Sequence, residues 1–228
     1  MLNARTFLSD EQQGKAAYAI TEAERKTGAE ILVAIATESG RYDRAESLCG
    51  LFFALLSLSL VHVGIQSSQD VGSWTSTAAG IGIQSTAVSL GFVFGMVLAS
   101  YVHPIRRLFT SREEMEQEAI RGARQVFMNS HLHGRRHRGG ILIYLSLFEH
   151  RLVVLPDAAV RDCVGADEDI AAAVVAEAQA HLRARKRFEA IVAAVQMLGD
   201  KLSTKFPNTA PDEENEYPNH LALIHPRP

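Results

Sequence analysis

Two carboxylates stand where a divalent cation could be held. Glu30 opens a run of apolar, β-branched residues and Asp157 closes another. Hard cations such as calcium or magnesium take six or more oxygen ligands at one point, so this pair would need help. Each also has a plainer reading, Glu30 as a solvated strand-edge residue and Asp157 as a turn-stabilising one. The densest basic cluster is His131, His133, Arg135, Arg136, His137 and Arg138, which has the chemistry for a transition metal, an anionic lipid or a phosphate. Gly134 breaks any helical alignment of that cluster and no neighbouring Cys or carboxylate completes a metal set, so a solvated basic loop is the simpler expectation. Cys163 lacks the glycine-rich loop and the arginine six residues on that a phosphatase nucleophile would need, because position 169 is Asp. Asp167, Glu168 and Asp169 have aspartyl-phosphate spacing, yet they open a helix rather than follow a buried strand. A Gly-x-x-x-x-Gly-Lys phosphate loop and a His-Glu-x-x-His zinc motif are both absent.

The elements that would carry these residues divide sharply by composition. The 228-residue chain is 47% apolar and 21% charged with a formal net charge of −3, which excludes a disordered chain and a strongly basic nucleic-acid binder. No Asp, Glu, Lys or Arg occurs from Ser47 to Gln69, nor from Val71 to Ile105. Leu48 to Ile65 and Ala78 to Val102 each reach the length of about 18 apolar residues that a membrane-spanning helix needs. The polar stretch Gln66 to Thr77, with Trp74 at an interfacial position, would turn them into a hairpin. Met1 to Gln13 lacks the pattern of a cleaved export signal. Arg41 and Arg44 precede the first span and Arg106, Arg107 and Arg112 follow the second, whereas the connecting stretch has none, so both termini are expected on the cytoplasmic side of a bacterial inner membrane. Cys49 and Cys163 would then lie in or face a reducing compartment, with no structural disulfide. Ala87, Gly91, Gly95 and Ala99 recur every four residues and form a candidate packing seam, facing either the first span or another copy of the protein.

The remainder reads as an α/β domain. Ser9 with Gln12 is a capping box that opens a helix from about Asp10 to Thr27, and Gly28 stops it. Glu30 to Thr37 is a strand buried on both faces. Ser111 with Glu114 opens a second helix through about Phe127. Gly140 to Leu147 and Arg151 to Leu155 are strands joined by the turn at Phe148 to His150, and helices are expected at Asp167 to Arg183 and Phe188 to Lys205. The strand, helix, strand order makes the first two strands parallel and the third an antiparallel neighbour. The expected fold is a small mixed sheet flanked by helices, with the transmembrane hairpin inserted after the first strand. Its boundaries are 1–47 and 106–205 for the α/β domain, 48–105 for the hairpin and 206–228 for an extended, solvated tail carrying five of the seven prolines.

Several segments in this order resemble the TPM domain family, the thylakoid-lumen phosphatase-like group, and its bacterial membrane subfamily with an inserted two-helix hairpin. They are Phe-Leu-Ser-Asp-Glu at 7–11, Ala-Glu-Arg-Lys-Thr-Gly-Ala-Glu-Ile at 23–31, and Gly-Ile-Leu-Ile-Tyr-Leu-Ser-Leu-Phe-Glu-His-Arg-Leu-Val-Val-Leu-Pro-Asp at 140–157. The close from Lys205 to Asn219 is similar to the subfamily's Pro-rich, Asn-Glu-containing end. The resemblance implies a sheet flanked by helices and one of three roles: phosphatase activity, divalent-metal binding, or maintenance of membrane complexes. It also implies departures. His137-Arg138-Gly139-Gly140 stands where soluble members place an acidic residue and Gly, so a metal ligand carried there is missing, while the family's later acidic residue is matched by Asp157.

The expectation is a membrane-anchored module that acts through contacts with the bilayer and a membrane protein partner, with its own copies as a further candidate partner, and without nucleic acid or cofactor. The alternative is a phosphatase that depends on a divalent cation.

Overall fold

The computed structural model describes residues 3–67, 78–130, 139–164, 170–208 and 221–228. It forms two compact units, Met1–Gly40 with Glu116–Pro228, and Arg41–Met115.

In the first unit, helix α1 (Asp10–Lys26) starts at the expected capping box: Gln12 N–H donates to Ser9 Oγ at 3.3 Å and Ser9 N–H to Gln12 Oε1 at 3.1 Å. Strand β1 (Glu30–Ala36) follows, and the crossover to β2 (Gly140–Ser146) ends in helix α5 (Arg112–Asn129), which Ser111 caps by accepting from Glu114 N–H. β1 and β2 run parallel in the register Glu30↔Gly140 to Ala36↔Ser146. β3 (Arg151–Pro156) pairs antiparallel with β2 across the turn in which His150 takes a positive φ of 53°. Helices α6 (Ala158–Val164), α7 (Ile170–Arg183) and α8 (Arg187–Lys205) complete the layer.

Strand alternation distributes the core between two faces. Ile31, Val33 and Ile35 of β1 and Ile141, Ile143 and Leu145 of β2 pack with Ile20 of α1, Val174 of α7, and Val195 and Leu198 of α8. Ala34, Ala36, Leu142 and Tyr144 point to the other face, where α5 supplies Ala123 and Val126. Both strands are therefore covered on both sides, which is why their sequences show apolar runs rather than polar alternation.

The sheet has a fourth strand that the proline count concealed. Its order is β3-β2-β1-β4, and β4 (Ala222–Ile224) lies parallel to β1 through Ala34↔Ala222, Ile35↔Leu223 and Ala36↔Ile224. The expectation of a solvated tail from 206 onwards is thus corrected at both ends. Phe206 C=O accepts from Gly28 N–H at 2.8 Å, and Leu221 is buried. Leu221 to Ile224 is an apolar stretch without proline, and the average over the prolines and acids around it masked its strand propensity.

The second unit contains α2 (Asp43–Ser67), α3 (Ala78–Tyr101) and the short α4 (His103–Leu108). Asp43–Ile65 and Gly80–Tyr101 are long and apolar enough to cross a membrane, and only 17% and 11% of their most apolar windows are buried. The core helix of a water-soluble protein would be mostly buried.

Candidate functional site

Glu30 and Asp157 lie at the end of the sheet where β1 and β2 begin. Glu30 pairs with Gly140, and Asp157 N–H donates to Gly140 C=O at 2.8 Å, so one glycine separates the two carboxylates across the sheet. Their side chains diverge in role. Asp157 Oδ1 accepts from Val160 N–H at 2.8 Å and caps α6, whose Val160 belongs to the core beside Ile31. Glu30 shares its strand face with Leu32 and Ala34, which belong to the opposite core. Among the described residues no three His, Cys, Asp or Glu side chains gather as a cation set. The basic residues His131, His133, Arg135, Arg136, His137 and Arg138 lie outside the described residues, as do Asp167, Glu168, Asp169 and Trp74. Cys163 is an exposed free thiol on α6, and Cys49 is free and buried.

The other end of the parallel strands holds a polar network that the sequence reading missed. Open α/β sheets bind ligands beyond the carboxyl ends of their strands. Here Ser39 N–H donates to Glu149 Oε1 at 2.8 Å, Ser146 Oγ donates to the other carboxylate oxygen of Glu149, and Ser39 Oγ donates to Ser146 Oγ at 2.7 Å. With both serine protons committed, the Tyr144 hydroxyl is the donor in its 2.9 Å bond to Ser39 Oγ. A directed chain therefore runs from Tyr144 through Ser39 and Ser146 to the buried Glu149 carboxylate. Burial pushes Tyr144 up to about 12, and the Glu149 charge adds to the rise.

Close packing leaves little room around this chain. A Cβ on Gly122 would sit 2.8 Å from the Tyr144 hydroxyl oxygen, and one on Gly40 would sit 2.7 Å from Glu118 Oε2. The neighbouring positions are filled by the protein's own termini. Ala4 N–H donates to Thr37 Oγ1 at 2.9 Å, and Arg227 Nε donates to Glu38 Oε1 at 2.8 Å. The network is a brace for the segment Thr37 to Gly40, which leads into α2. Its sequence signal was slight, a Ser-Gly pair after a strand and a Glu in a turn.

In the second unit the candidate seam faces α2. Gly91, Gly95 and Ala99 are buried and Ala87 is half-buried. A Cβ on Gly95 would lie 2.6 Å from Cys49 C=O, and one on Gly91 2.7 Å from Phe53 C=O, so these glycines allow the two backbones to approach closely. Phe53 and Phe94 close the contact edge to face, with ring centres 5.3 Å apart. At the base of the pair, Arg106 of α4 is buried, 3.6 Å from Glu46 and 5.6 Å from the centre of the Tyr42 ring.

Outward from the seam the surface is apolar, with Leu51, Phe52, Leu55, Leu60, Val63, Ile81, Leu90, Val93, Phe94 and Val97 exposed. Five hydroxyls on these helices bond to their own helix backbone. Ser57, Ser59, Thr86, Ser89 and Ser100 each donate to the carbonyl four residues back, at 2.8–3.0 Å. His62 and Gln84 meet across the pair at 3.3 Å.

No family model and no curated protein matches the sequence. Among solved structures, the NMR structure of BA42 protein from the psychrophilic bacterium Bizionia argentinensis is similar, with a TM-score of 0.53 and 16% identity over 95% of this chain and 94% of that one. At that identity the likeness is one of fold.

Proposed function

We propose that this chain holds an α/β domain at a membrane, with the α2–α3 hairpin as its anchor, and that the domain acts by contact with a membrane protein partner rather than by turnover. The observation that carries this reading is the outer surface of the hairpin. Its bulky side chains are exposed and apolar, and its hydroxyls bond to their own helix, so the pair suits hydrocarbon and would be costly in water. The resemblance of residues 7–11, 23–31 and 140–157 to the TPM domain family is compatible with this reading, since maintenance of membrane complexes is one of the three roles it implies.

The orientation in this reading has both termini cytoplasmic at a bacterial inner membrane. Arg106 is spent on Glu46 and Tyr42, so Arg41, Arg44, Arg107 and Arg112 carry the positive-inside argument. The phosphatase alternative would need a cation held by several oxygens, and Asp157 Oδ1 is already committed to capping α6.

The test combines location and activity. The full chain should remain in the membrane pellet after alkaline carbonate extraction. A reporter fused after Pro228 should read as cytoplasmic and one inserted at Ser73 as external. Hydrolysis of a phosphomonoester with magnesium, manganese or calcium should not differ between the parent and the Glu30→Gln, Asp157→Asn variant. Release by carbonate would refute the anchor, and turnover lost in the double variant would promote the phosphatase.

A further inference from the structure

The outer edge of β1 is filled by the shortest strand among the described residues, and the contact extends beyond that strand. After the three β4 residues, Thr37 N–H donates to Ile224 C=O at 3.1 Å and Glu38 N–H to Pro226 C=O at 3.2 Å. Thr37 Oγ1 meets His225 Nδ1 at 2.9 Å, and Arg227 Nε reaches the buried Glu38 carboxylate at 2.8 Å. Side chains alternate between the faces: Leu223 joins the core with Val33, while Ala222 and Ile224 join Ala34 and Ala36. Residues 221–228 therefore sit as an added peptide strand does, with main-chain bonds for affinity, alternating pockets for register and a charge pair at the end.

The length of the preceding chain does not dictate which copy supplies this strand. Pro207 is bridged to Thr27 and Ala222 lies opposite Ala34, so the two anchors are separated by seven residues of β1 and its lead-in. Seven residues span no more than about 23 Å, whereas the fifteen peptide links from Pro207 to Ala222 reach about 50 Å when extended. The extended reach of those links is thus about twice the distance they bridge. The contacts formed are the same in either case, so concentration decides between them. β4 itself has three residues, all half-buried, and release of residues 221–228 withdraws the buried Leu221 and the packed Leu223 from a core otherwise built from α1, α7 and α8. What is then bared is the edge of an apolar strand covered on both faces, which pairs readily with another strand.

We propose that the outer edge of β1, together with Thr37 and Glu38, is a strand-binding site whose ligand is the C-terminal segment Leu221–Pro228, and that a second copy of this chain supplies it to form strand-exchanged dimers. Glu38 and Thr37 recognise Arg227 and His225 at the end of the segment, which selects this strand over other extended peptides. The proposal does not depend on the hairpin's lying in a membrane; a bilayer would only concentrate the copies.

Two measurements test it. In the first, full-length chains carrying Cys163→Ser and either Ala34→Cys or Ala222→Cys are co-expressed with different tags and oxidised, alongside the double-cysteine chain. Mixed disulfide dimers are expected, rising with concentration and falling severalfold when Arg227→Ala is added to the Ala222→Cys chain. An internal cross-link in the double-cysteine chain with no mixed dimer at any concentration would overturn exchange. In the second, the chain ending at Asn208 is titrated with a labelled peptide of residues 221–228. Saturable binding is expected, weakened about tenfold by Arg227→Ala in the peptide and largely blocked in the full-length chain, where the edge is already filled. A folded truncated chain that ignores the peptide would overturn the binding site itself.

Discussion

Two helix pairs in this protein share one contact rule and differ on their outer surfaces. α1 and α8 approach where a Cβ on Gly199 would lie 2.8 Å from Ala23 Cβ; α2 and α3 approach where one on Gly95 would lie 2.6 Å from Cys49 C=O. Outside the contact, α1 carries ion pairs: Lys15 with Glu11, Arg25 with Glu22, and Lys26 with Asp200 of α8, at 2.6–2.7 Å. The outer surface of α2 and α3 carries Leu55, Leu60, Leu90 and Val97. Close packing through small residues therefore does not distinguish these two helix pairs. The side chains turned away from the partner do.

The largest effect should come from placing a charge on each outer surface. Leu55 is 56% exposed near the middle of α2, and Tyr18 is 67% exposed on α1. Leu55→Arg should reduce membrane insertion by about 3 kcal/mol, the cost of arginine at the centre of a span. Tyr18→Arg should change thermal stability by less than about 0.5 kcal/mol, as exposed substitutions usually do. Fractionation of the first variant and a melting curve of the second are sufficient. Equal tolerance at both positions would break the comparison.

A slightly smaller effect, under about 3 kcal/mol, should separate the units by pH. Tyr144 is pushed up to about 12 from an ordinary value of 10, so the folded α/β unit holds this proton more tightly than the unfolded chain. The stability it contributes is complete below about pH 10 and is lost as pH rises towards about 12, at about 1.4 kcal/mol per unit of pKa difference. Protection factors of β1 and β2 amides, taken relative to the intrinsic exchange rate at each pH, should fall across that window, without a matching change in α2 and α3. In Tyr144→Phe the alkaline component should disappear.

The ends of these elements were unequally legible in the sequence. The Ser9–Gln12 box, the Gly140 and Arg151 strand starts and the hairpin could be read because each depends on neighbours in sequence: a cap, a period or an apolar run. The brace of Ser39, Tyr144, Ser146 and Glu149 could not, because its bonds span 105 to 110 residues between Ser39 and its distant partners. β4 escaped for a related reason. Three residues are too few to show a period, and what makes them a strand is the vacant edge of β1, nearly 190 residues earlier in the chain. Glu30 was legible as the opening of one strand and Asp157 as the close of another, but the cap that occupies Asp157 depends on α6, which the sequence reading did not anticipate.

The smallest effect is a difference of about 1 kcal/mol between two identical substitutions. An added methyl raises helix propensity by about 1 kcal/mol relative to glycine, and overpacking a tight contact costs about 1–3 kcal/mol. At Gly199 the nearest obstacle is the Ala23 methyl at 2.8 Å, with the backbone Cα behind it at 3.0 Å, so the added group meets a side chain first. At Gly95 the obstacles are Cys49 C=O and the Cα of Gly50 at 2.9 Å, both backbone, in a pair also fixed by the Arg106–Glu46 contact at its base. Gly199→Ala should therefore destabilise by about 1 kcal/mol and Gly95→Ala by about 2 kcal/mol, both read by thermal unfolding of the full chain in mild detergent. If Gly199→Ala proved the costlier of the two, the tighter seam would be the one in the α/β unit, and the shared contact rule would have to be replaced by one specific to each solvent.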